Sequence, residues 1–306
     1  MNKKYKLDKE DTIEILGKKL CRVVALIDIG KYVKAGDKGG YIESEDNLSQ
    51  DGNAWVDDDA RVYDNAKVYG DAQVSGNACI CDNARVYDEA EVKEYSFVSE
   101  NAWIYGRAKV FGDAQVFGKA CVYDNARIRD NAQIYDTAKV SGNARVSNFA
   151  CVHGNSWVSD YSWIMDNARI SDDVRVYGNA KVSGNARVQD DVAVFGEAQV
   201  YEDAWISGNP CISGNMVICG NARISEREDY FCVQSFGSVG RTTTFFRTKD
   251  GWRVVCGCFF GTIEDFRNQV KETHKDSLIA QEYLTIADLM ELRIKRRNNE
   301  LKNSNN

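Results

Sequence analysis

One feature of the sequence constrains the fold more than any other: a six-residue unit repeats without insertion or deletion from Asn53 to Glu226. The stretch NAKVYGDAQVSG, residues 65–76, contains two copies of it. Across the 29 hexads the fourth residue is always Val or Ile, the second is Ala in 22, and the sixth is Gly in 13 and Asp in 11. Repetition at a fixed short period is typical of a solenoid.

Each position of the hexad has a physical role. The first and third side chains of an extended Ala-x-Val segment point to the same side, so we expect both inward and the middle one outward. Gly, Asn and Asp then predict a corner, because they accept the left-handed backbone region at low cost. A helix is excluded, since a six-residue apolar period drifts around a 3.6-residue helix. The narrow interior favours a small second residue, and the exceptions to Ala there are Ser96, Ser156, Ser162, Val174, Val192, Pro210 and Met216.

The pattern V-x-G-N-A-x in successive hexads resembles the left-handed parallel β-helix of the hexapeptide-repeat family over residues 53–226. The resemblance implies three hexads per triangular coil and left-handed crossovers, an exception to the usual right-handed rule. At about 4.8 Å per coil, almost ten coils give a prism roughly 45 Å long. The predicted fold class is mainly β: a left-handed parallel β-helix of about ten triangular coils with a C-terminal α+β module.

The segments on either side of the repeat carry a narrower resemblance. GDKGGYIESEDNLSQDGNAWV before the repeat, with GRTTTFFRTKDG and VVCGCFFGTIEDFRNQVKETH after it, is similar to a β-helix family common in bacteriophages and prophages. Members of that family are often labelled polymer-forming or acyltransferase-like. The resemblance implies architecture and a viral context, and it brings no catalytic residue with it.

Three regions are predicted along the chain. Residues 1–52, with the apolar strand LCRVVALIDI and the turn AGDKGG, form an N-terminal cap, because an open terminal coil exposes unpaired strand edges. Residues 53–226 form the β-helix. Residues 227–306 form an α+β module: DYFCVQSF, RTTTFFRT and WRVVCGCFF are strands, and Thr262 with Asp265 opens the helix TIEDFRNQVKETH. A second amphipathic helix begins near Leu278, and the polar tail RRNNELKNSNN is expected to be disordered.

Composition limits the cellular setting and the partners. The net charge of -7 argues against bulk nucleic-acid binding. No run reaches the roughly 18 apolar residues of a membrane span, and the N-terminus lacks the apolar core of a signal peptide. We therefore expect a cytoplasmic protein without membrane contact or cofactor. Ten cysteines without a CxxC pair indicate free thiols, as is usual in a reducing compartment.

Enzyme activity has two possible forms on this fold. Hexapeptide acyltransferases, which the repeat resembles, use a histidine base, and His153 at an outward fifth position is the candidate if the chain is an acyl-CoA transferase. The unbroken register leaves no loop to shape a pocket around it, so we predict that no residue is catalytic. Zinc-dependent carbonic anhydrases need three histidine ligands, whereas this chain has His153 and His274 alone. Cys79-x-Cys81 and Cys256-x-Cys258 lack the usual zinc spacing, so we expect no metal site.

Outward residues eighteen apart should stack along one face of the solenoid. One such column is rich in aromatic side chains, which either stiffen the solenoid as a ladder or form an oligomer interface. Resemblance to parallel trimers favours the interface, and the predicted partner is therefore a further copy of the chain, in a homotrimer. Another face is basic, with Lys93, Lys109, Arg127, Arg129, Arg145 and Lys181, and is interpreted as solvated. The predicted interface residues are Tyr69, Tyr87, Trp103, Tyr105, Tyr123, Trp157, Tyr177 and Phe195.

The segment SFGSVGRTTTFF, residues 235–246, holds the densest set of polar donors. Its glycines free backbone N–H groups and Arg241 offers a guanidinium fork, a set that suits a phosphate or another oxyanion. The spacing is not that of a Walker loop, and an exposed Thr-rich strand explains the composition equally well. The predicted ligand-binding residues are Ser235, Ser238, Arg241, Thr242, Thr243, Thr244, Lys271, His274 and Lys275.

These patterns predict a non-catalytic, oligomeric binding protein of phage or prophage type. Its expected ligand is a small phosphorylated, nucleotide-like molecule, for example a host defence signal, held by the C-terminal module. The alternatives are a hexapeptide-type acyl-CoA transferase and a structural β-helix spacer or virion component. Register continuity speaks against the enzyme, and the size of the C-terminal module speaks against a bare spacer.

Overall fold

The structure, a computed structural model, describes residues 3–304 and has a parallel β-solenoid at its centre. Three strands precede the solenoid: β1 (Tyr5–Ile15), β2 (Lys18–Ala25) and β3 (Lys38–Ile42). Twenty-nine two-residue strands follow, β4 to β32, which are the third and fourth residues of each hexad from Trp55–Val56 to Arg223–Ile224. The C-terminal module contains β33 (Tyr230–Phe236), β34 (Arg241–Thr248), β35 (Gly251–Cys256), β36 (Phe259–Gly261), α1 (Ile263–His274) and α2 (Leu278–Ser304). Short 3-10 turns occupy Glu45–Asn47, Arg227–Asp229 and Gly237–Val239.

Every solenoid strand pairs in parallel with the strand one coil away, eighteen residues along the chain. Lys109 is the partner of Arg127, for example, and the Lys109 N–H donates to the Ala126 carbonyl at 2.9 Å. This register places the three successive strands of one coil in three different sheets, which have 13, 10 and 9 strands in the whole structure because β1, β2 and β3 extend the first of them. The prediction of a mainly β solenoid of about ten turns with a C-terminal α+β module is confirmed.

The interior is built from the second and fourth residues of the hexads. Ala132 and Ile134 are fully buried, whereas Gln133 between them reaches solvent. The three serines at the second position are also buried, and each precedes an aromatic third residue. Each Ser hydroxyl donates to the carbonyl three residues earlier, at 2.6–2.8 Å, so the buried group keeps a hydrogen bond.

The corners depend on the sixth residue, which has a positive φ throughout most of the solenoid. Asp136 has φ 58°, and its carboxylate accepts the N–H of Gly154, one coil later, at 3.0 Å. Gly118, one coil earlier, has φ 73°, and a Cβ added there would approach the Asp136 nitrogen to 2.7 Å. Acidic and glycine corners thus stabilise the same column in different ways. The carboxylate accepts a hydrogen bond from a backbone N–H of the next coil, and the glycine lets the backbone of the next coil come close.

Both ends of the solenoid are covered. At the N-terminal end β3 pairs in parallel with β5, and the β1–β2 hairpin extends the same sheet in antiparallel fashion. The expected strand LCRVVALIDI corresponds to β2, whereas β1 was not predicted because its sequence is strongly charged. At the C-terminal end, Thr248 of β34 bridges Ala222 of the last coil.

The expectation of a disordered tail from Arg296 onward is wrong for the described residues, because α2 continues to Ser304. Arg297 is the physical reason: it binds Asp229 at the solenoid end and fixes the second half of the helix. Residues 305 and 306 lie outside the described residues. Within residues 3–304 no helix is long and apolar enough to cross a membrane.

Candidate functional site

A cavity of about 650 Å³ lies in the C-terminal module. Its walls come from the start of β34, the β35–β36 turn, α1 and the first turns of α2. This volume is in the range of small-molecule pockets. The lining residues are Ser238, Arg241, Cys256, Cys258, Phe259, Phe260, Phe266, Gln269, Val270, Thr273, His274 and Tyr283.

Aromatic rings form the rigid part of the cavity wall. The Thr262–Asp265 capping box starts α1 as predicted, and the buried face of this helix carries Phe266 and Val270. The Phe266 ring meets Tyr283 edge to face, with centroids 5.8 Å apart, and lies 5.5 Å from Phe259. Contacts of this kind stabilise a ring beyond its area burial.

Tyr283 is the deepest polar residue of the cavity and is only 4 % exposed. Burial, followed by the neighbouring Cys256 thiol, raises the pKa of Tyr283, while hydrogen bonding with Ser238 acts in the opposite direction. Gly237 has φ 71°, and a Cβ there would overlap the Tyr283 ring. Glycine is therefore required for the close approach of this loop to the tyrosine.

Arg241 supplies the charge of the site. Its side chain is exposed, and among residues 3–300, whose side chains are described, its guanidinium has neither a hydrogen bond nor a carboxylate within 4 Å. The guanidinium lies across Gly257, where a Cβ would overlap it. Gly257 has φ 61° in the two-residue turn between Cys256 and Phe259. Among the twelve lining residues Arg241 is the one permanent charge, and none carries a carboxylate.

The edge of α1 adds hydrogen-bonding capacity. Gln269 Nε2 donates to Thr273 Oγ1 at 3.0 Å, which leaves the Gln269 carbonyl oxygen and the Thr273 hydroxyl proton available. His274, in the last turn of α1, stacks on Tyr283 with centroids 5.6 Å apart. The cavity therefore combines an apolar wall, one cation and a polar edge.

Three of the residues predicted to bind ligand meet in this cavity: Ser238, Arg241 and His274. Lys271 and Lys275 flank His274 on the exposed surface and do not line the cavity. Ser235 is exposed with φ 56° near the end of β33, and Thr242 is half-buried; neither lines the cavity.

Thr243 and Thr244 are buried inside the module. The Thr243 hydroxyl donates to Cys256 Sγ at 3.2 Å, on the helix side of the sheet. The Thr244 hydroxyl accepts the N–H of Val217, in the last coils of the solenoid, at 3.4 Å. Both hydroxyls thus have internal partners and lie outside the cavity lining.

Sequence reasoning missed most of the cavity, namely Cys256, Cys258, Phe259, Phe260, Phe266, Gln269, Val270, Thr273 and Tyr283. Two signals pointed to them. The C-G-C turn brings two side chains to one side of a tight hairpin, and the apolar stripe of TIEDFRNQV indicates which face of α1 meets the sheet.

His153 lies on the solenoid, away from the cavity lining. It ends a stack that also contains Phe117 and Tyr135, with the His153 and Tyr135 rings 4.6 Å apart. Its Nδ1 is 3.6 Å from the Asp136 carboxylate, the group that also accepts the Gly154 amide. Its neighbours on the solenoid are thus another ring and a corner carboxylate.

The aromatic column on the 9-stranded sheet consists of stacked rings. Tyr69, Tyr87, Tyr105 and Tyr123 follow one another with centroids 4.9–5.0 Å apart. Tyr177 and Phe195 form a second stack, at 4.8 Å. Burial is the main factor that raises the pKa of Tyr105 to about 12.

Cations contact the exposed tryptophans of the solenoid. Arg145 and Lys181, one coil before and one coil after Trp163, lie 4.9 and 5.3 Å from its ring. Arg85 contacts Trp103 and Arg223 contacts Trp205 in the same manner, at 5.3 and 5.5 Å. Such cation–π contacts stabilise the ladders and explain why much of the basic charge lies beside aromatic residues.

The cysteines are free thiols in the structure. Hydrogen bonding with Cys81 lowers the pKa of Cys79, and the same contact raises that of Cys81. Across residues 3–304, no group of three or more His, Cys, Asp or Glu side chains has an arrangement that holds a metal ion.

Part of the solenoid is similar to a known family of repeats. Residues 60–76 and 168–183 match the YdcK β-solenoid repeat, which supports the solenoid and covers a small part of the chain. A search of curated proteins finds no match to the chain.

Proposed function

We propose that the protein is a non-catalytic binding protein whose C-terminal module captures a small, phosphorylated, nucleotide-like molecule. The observation that carries this proposal is the unpaired Arg241 guanidinium at an aromatic cavity without carboxylates. A guanidinium fork binds phosphate oxygens through charge-assisted hydrogen bonds, which are stronger than neutral ones.

The rest of the lining suits the remainder of such a molecule. Phe259, Phe260 and Phe266 offer apolar and aromatic surface to a base. The free Gln269 carbonyl and Thr273 hydroxyl offer one acceptor and one donor to the polar edge of a heterocycle. Ser238 and His274 add further polar groups to the lining.

The proposal extends to the scaffold. The hexad pattern supports a left-handed hexapeptide-type solenoid, and the resemblance of its flanks supports a phage or prophage protein that works in the host cytoplasm. The aromatic column with Trp103 and Trp157, which are 40 and 48 % exposed, supports a homotrimer. A ligand-capturing oligomer of this kind sequesters a host signal by mass action.

Isothermal titration calorimetry of the full chain against nucleotides and cyclic nucleotides tests the proposal. Arg241→Ala should weaken binding about ten- to a hundredfold, because it removes a charge-assisted bond. Arg107→Ala is the matched control, since Arg107 is an exposed cation of the solenoid paired with Glu89. If the wild type binds no member of the panel, or if Arg241→Ala binds normally, the proposal is wrong.

The acyltransferase alternative is tested in the same preparation. Release of free CoA from acetyl-CoA is measured for the wild type and for His153→Ala. Turnover that depends on His153 would establish the enzyme, whereas our proposal expects no release from either protein.

A further inference from the structure

Resting on the proposed function, we infer that the site selects ligands by charge and takes a singly charged phosphodiester of a nucleoside, cyclic or linear, over a phosphomonoester or a polyphosphate. This inference concerns how many negative charges of a ligand the cavity can neutralise. Whether the cavity binds a nucleotide at all is a separate question.

The first argument is the charge of the lining. Arg241 is its one permanent cation, and the other polar groups include the neutral side chains of Ser238, Gln269, Thr273 and Tyr283 together with His274. A phosphodiester carries one negative charge, so a single guanidinium neutralises it. A phosphomonoester carries a charge between about -1.5 and -2 at pH 7, and part of that charge would remain unpaired.

The second argument is the orientation of α1. The cavity runs along this helix past Phe266, Gln269 and Val270, and it reaches the C-terminal end through Thr273 and His274 in the last turn. The helix dipole places partial negative charge there, which favours one cation and opposes additional anionic charge.

The third argument concerns the nearby lysines. Lys271 and Lys275 lie in the sequence KETHKD, where Glu272 and Asp276 accompany them. All four side chains are exposed and absent from the lining, so the surface around His274 contributes little net charge. A polyphosphate that extends beyond Arg241 therefore meets no second cationic cluster on this edge.

An unpaired charge against the aromatic wall is unfavourable because the wall replaces water that had solvated it. The expected outcome is a preference of about tenfold or more for the singly charged ligand, the factor that follows from one unsatisfied polar group. Selection of this kind would separate a cyclic or linked nucleotide from the more abundant mono- and triphosphates of a cell.

The test compares ligands whose main difference is their charge. Dissociation constants of the full chain are measured at pH 7.5 by calorimetry for 5′-AMP and its 5′-methyl ester, which share base and sugar but differ by one charge. Cyclic AMP, ATP and uncharged adenosine complete the adenine series, and the matching uracil series controls for the base. We expect cyclic AMP and the methyl ester to bind about tenfold or more tightly than AMP, with ATP weaker still, and Arg241→Ala to remove the difference.

The outcomes separate the two proposals. If AMP or ATP binds as tightly as the methyl ester, charge selection is wrong while nucleotide capture stands. If neither series binds, the proposed function falls and the charge inference falls with it. His274→Asn tests whether a charged His274 acts as a second cation. If the wild type binds AMP tightly and His274→Asn does not, a second cation is present and the inference is overturned.

Discussion

Arg297 donates a hydrogen bond to Asp229 Oδ1 at 2.6 Å, although the two residues are 68 positions apart and Asp229 is completely buried. The same carboxylate accepts the N–H groups of Ser225 and Glu226 and a weaker bond from Arg247. Asp229 follows the last coil directly, so this one side chain joins the solenoid end, β34 and α2.

Arg297→Ala should destabilise the C-terminal module by about 1.5–3 kcal/mol, the usual range for a hydrogen bond to a charged group. Arg296→Ala is the matched control, because Arg296 is exposed and its pairing with Glu300 is an i,i+4 surface contact. Denaturant unfolding combined with hydrogen exchange of α2 measures both. Equal losses in the two variants would contradict the role assigned to Arg297.

The pH dependence of stability follows from the same carboxylate. Burial acts to raise the pKa of Asp229, but the Ser225 amide, Arg297 and the Glu226 amide together outweigh it and lower the pKa below its ordinary value. A carboxyl with a lowered folded pKa stabilises the protein above its unfolded pKa of about 3.9, and this contribution is lost as pH falls through the folded value. The free-energy gap between wild type and Asp229→Asn should therefore be largest above about pH 5 and should shrink below pH 4. A gap independent of pH would show that the charge has no role.

Substitutions inside and outside the solenoid should differ sharply. Ala132→Leu adds three carbons to a fully buried corner and should cost about 1–3 kcal/mol, as overpacking usually does. Gln133→Leu, one residue later and partly exposed, should change stability little. Thermal melts of the two variants give the comparison, and similar losses would refute the distinction between inward and outward positions.

Tyr105→Glu should weaken trimer assembly while leaving the solenoid folded, because it introduces a charge in the middle of the stacked tyrosines. Tyr135→Glu is the control, since Tyr135 belongs to a stack on the 13-stranded sheet. Light scattering at micromolar concentration gives the mass, and circular dichroism reports the fold. A wild type that is strictly monomeric would end the proposal of a trimer.

The solenoid was predictable because its determinants are local and repeated. The inward position of Ala132 and the corner at Asp136 both follow from the chemistry of six consecutive residues. Every coil shows the same pattern, so a wrong assignment in one hexad does not change the assignment of the others. The strand β1 escaped prediction because its stability comes from pairing with β2 rather than from its own charged sequence.

The candidate site was less predictable because it depends on how the strands and helices of the module pack against one another and against the solenoid. The sequence suggests that RTTT is an exposed strand with free hydroxyls, but β34 is a central strand covered on both faces. Phe245 packs into the core of the module and Phe246 into the core of the solenoid. Thr243 and Thr244 follow the same alternation, which is why their hydroxyls are used internally. Arg241, at the start of β34, is exposed and is not covered by either of these cores.

The eighteen-residue register has a consequence for how such a chain can change in length. Duplicating eighteen residues adds one coil of about 4.8 Å and leaves every later strand in its own sheet. The N-terminal cap and the C-terminal module then move further apart without rotating relative to each other. Duplicating six residues instead moves every strand after the insertion to the neighbouring sheet. The C-terminal module, with its cavity, would then lie over a different face of the solenoid. Insertion of whole coils therefore keeps Arg241 at the same angle around the solenoid axis relative to Tyr105, whereas insertion of a single hexad changes that angle.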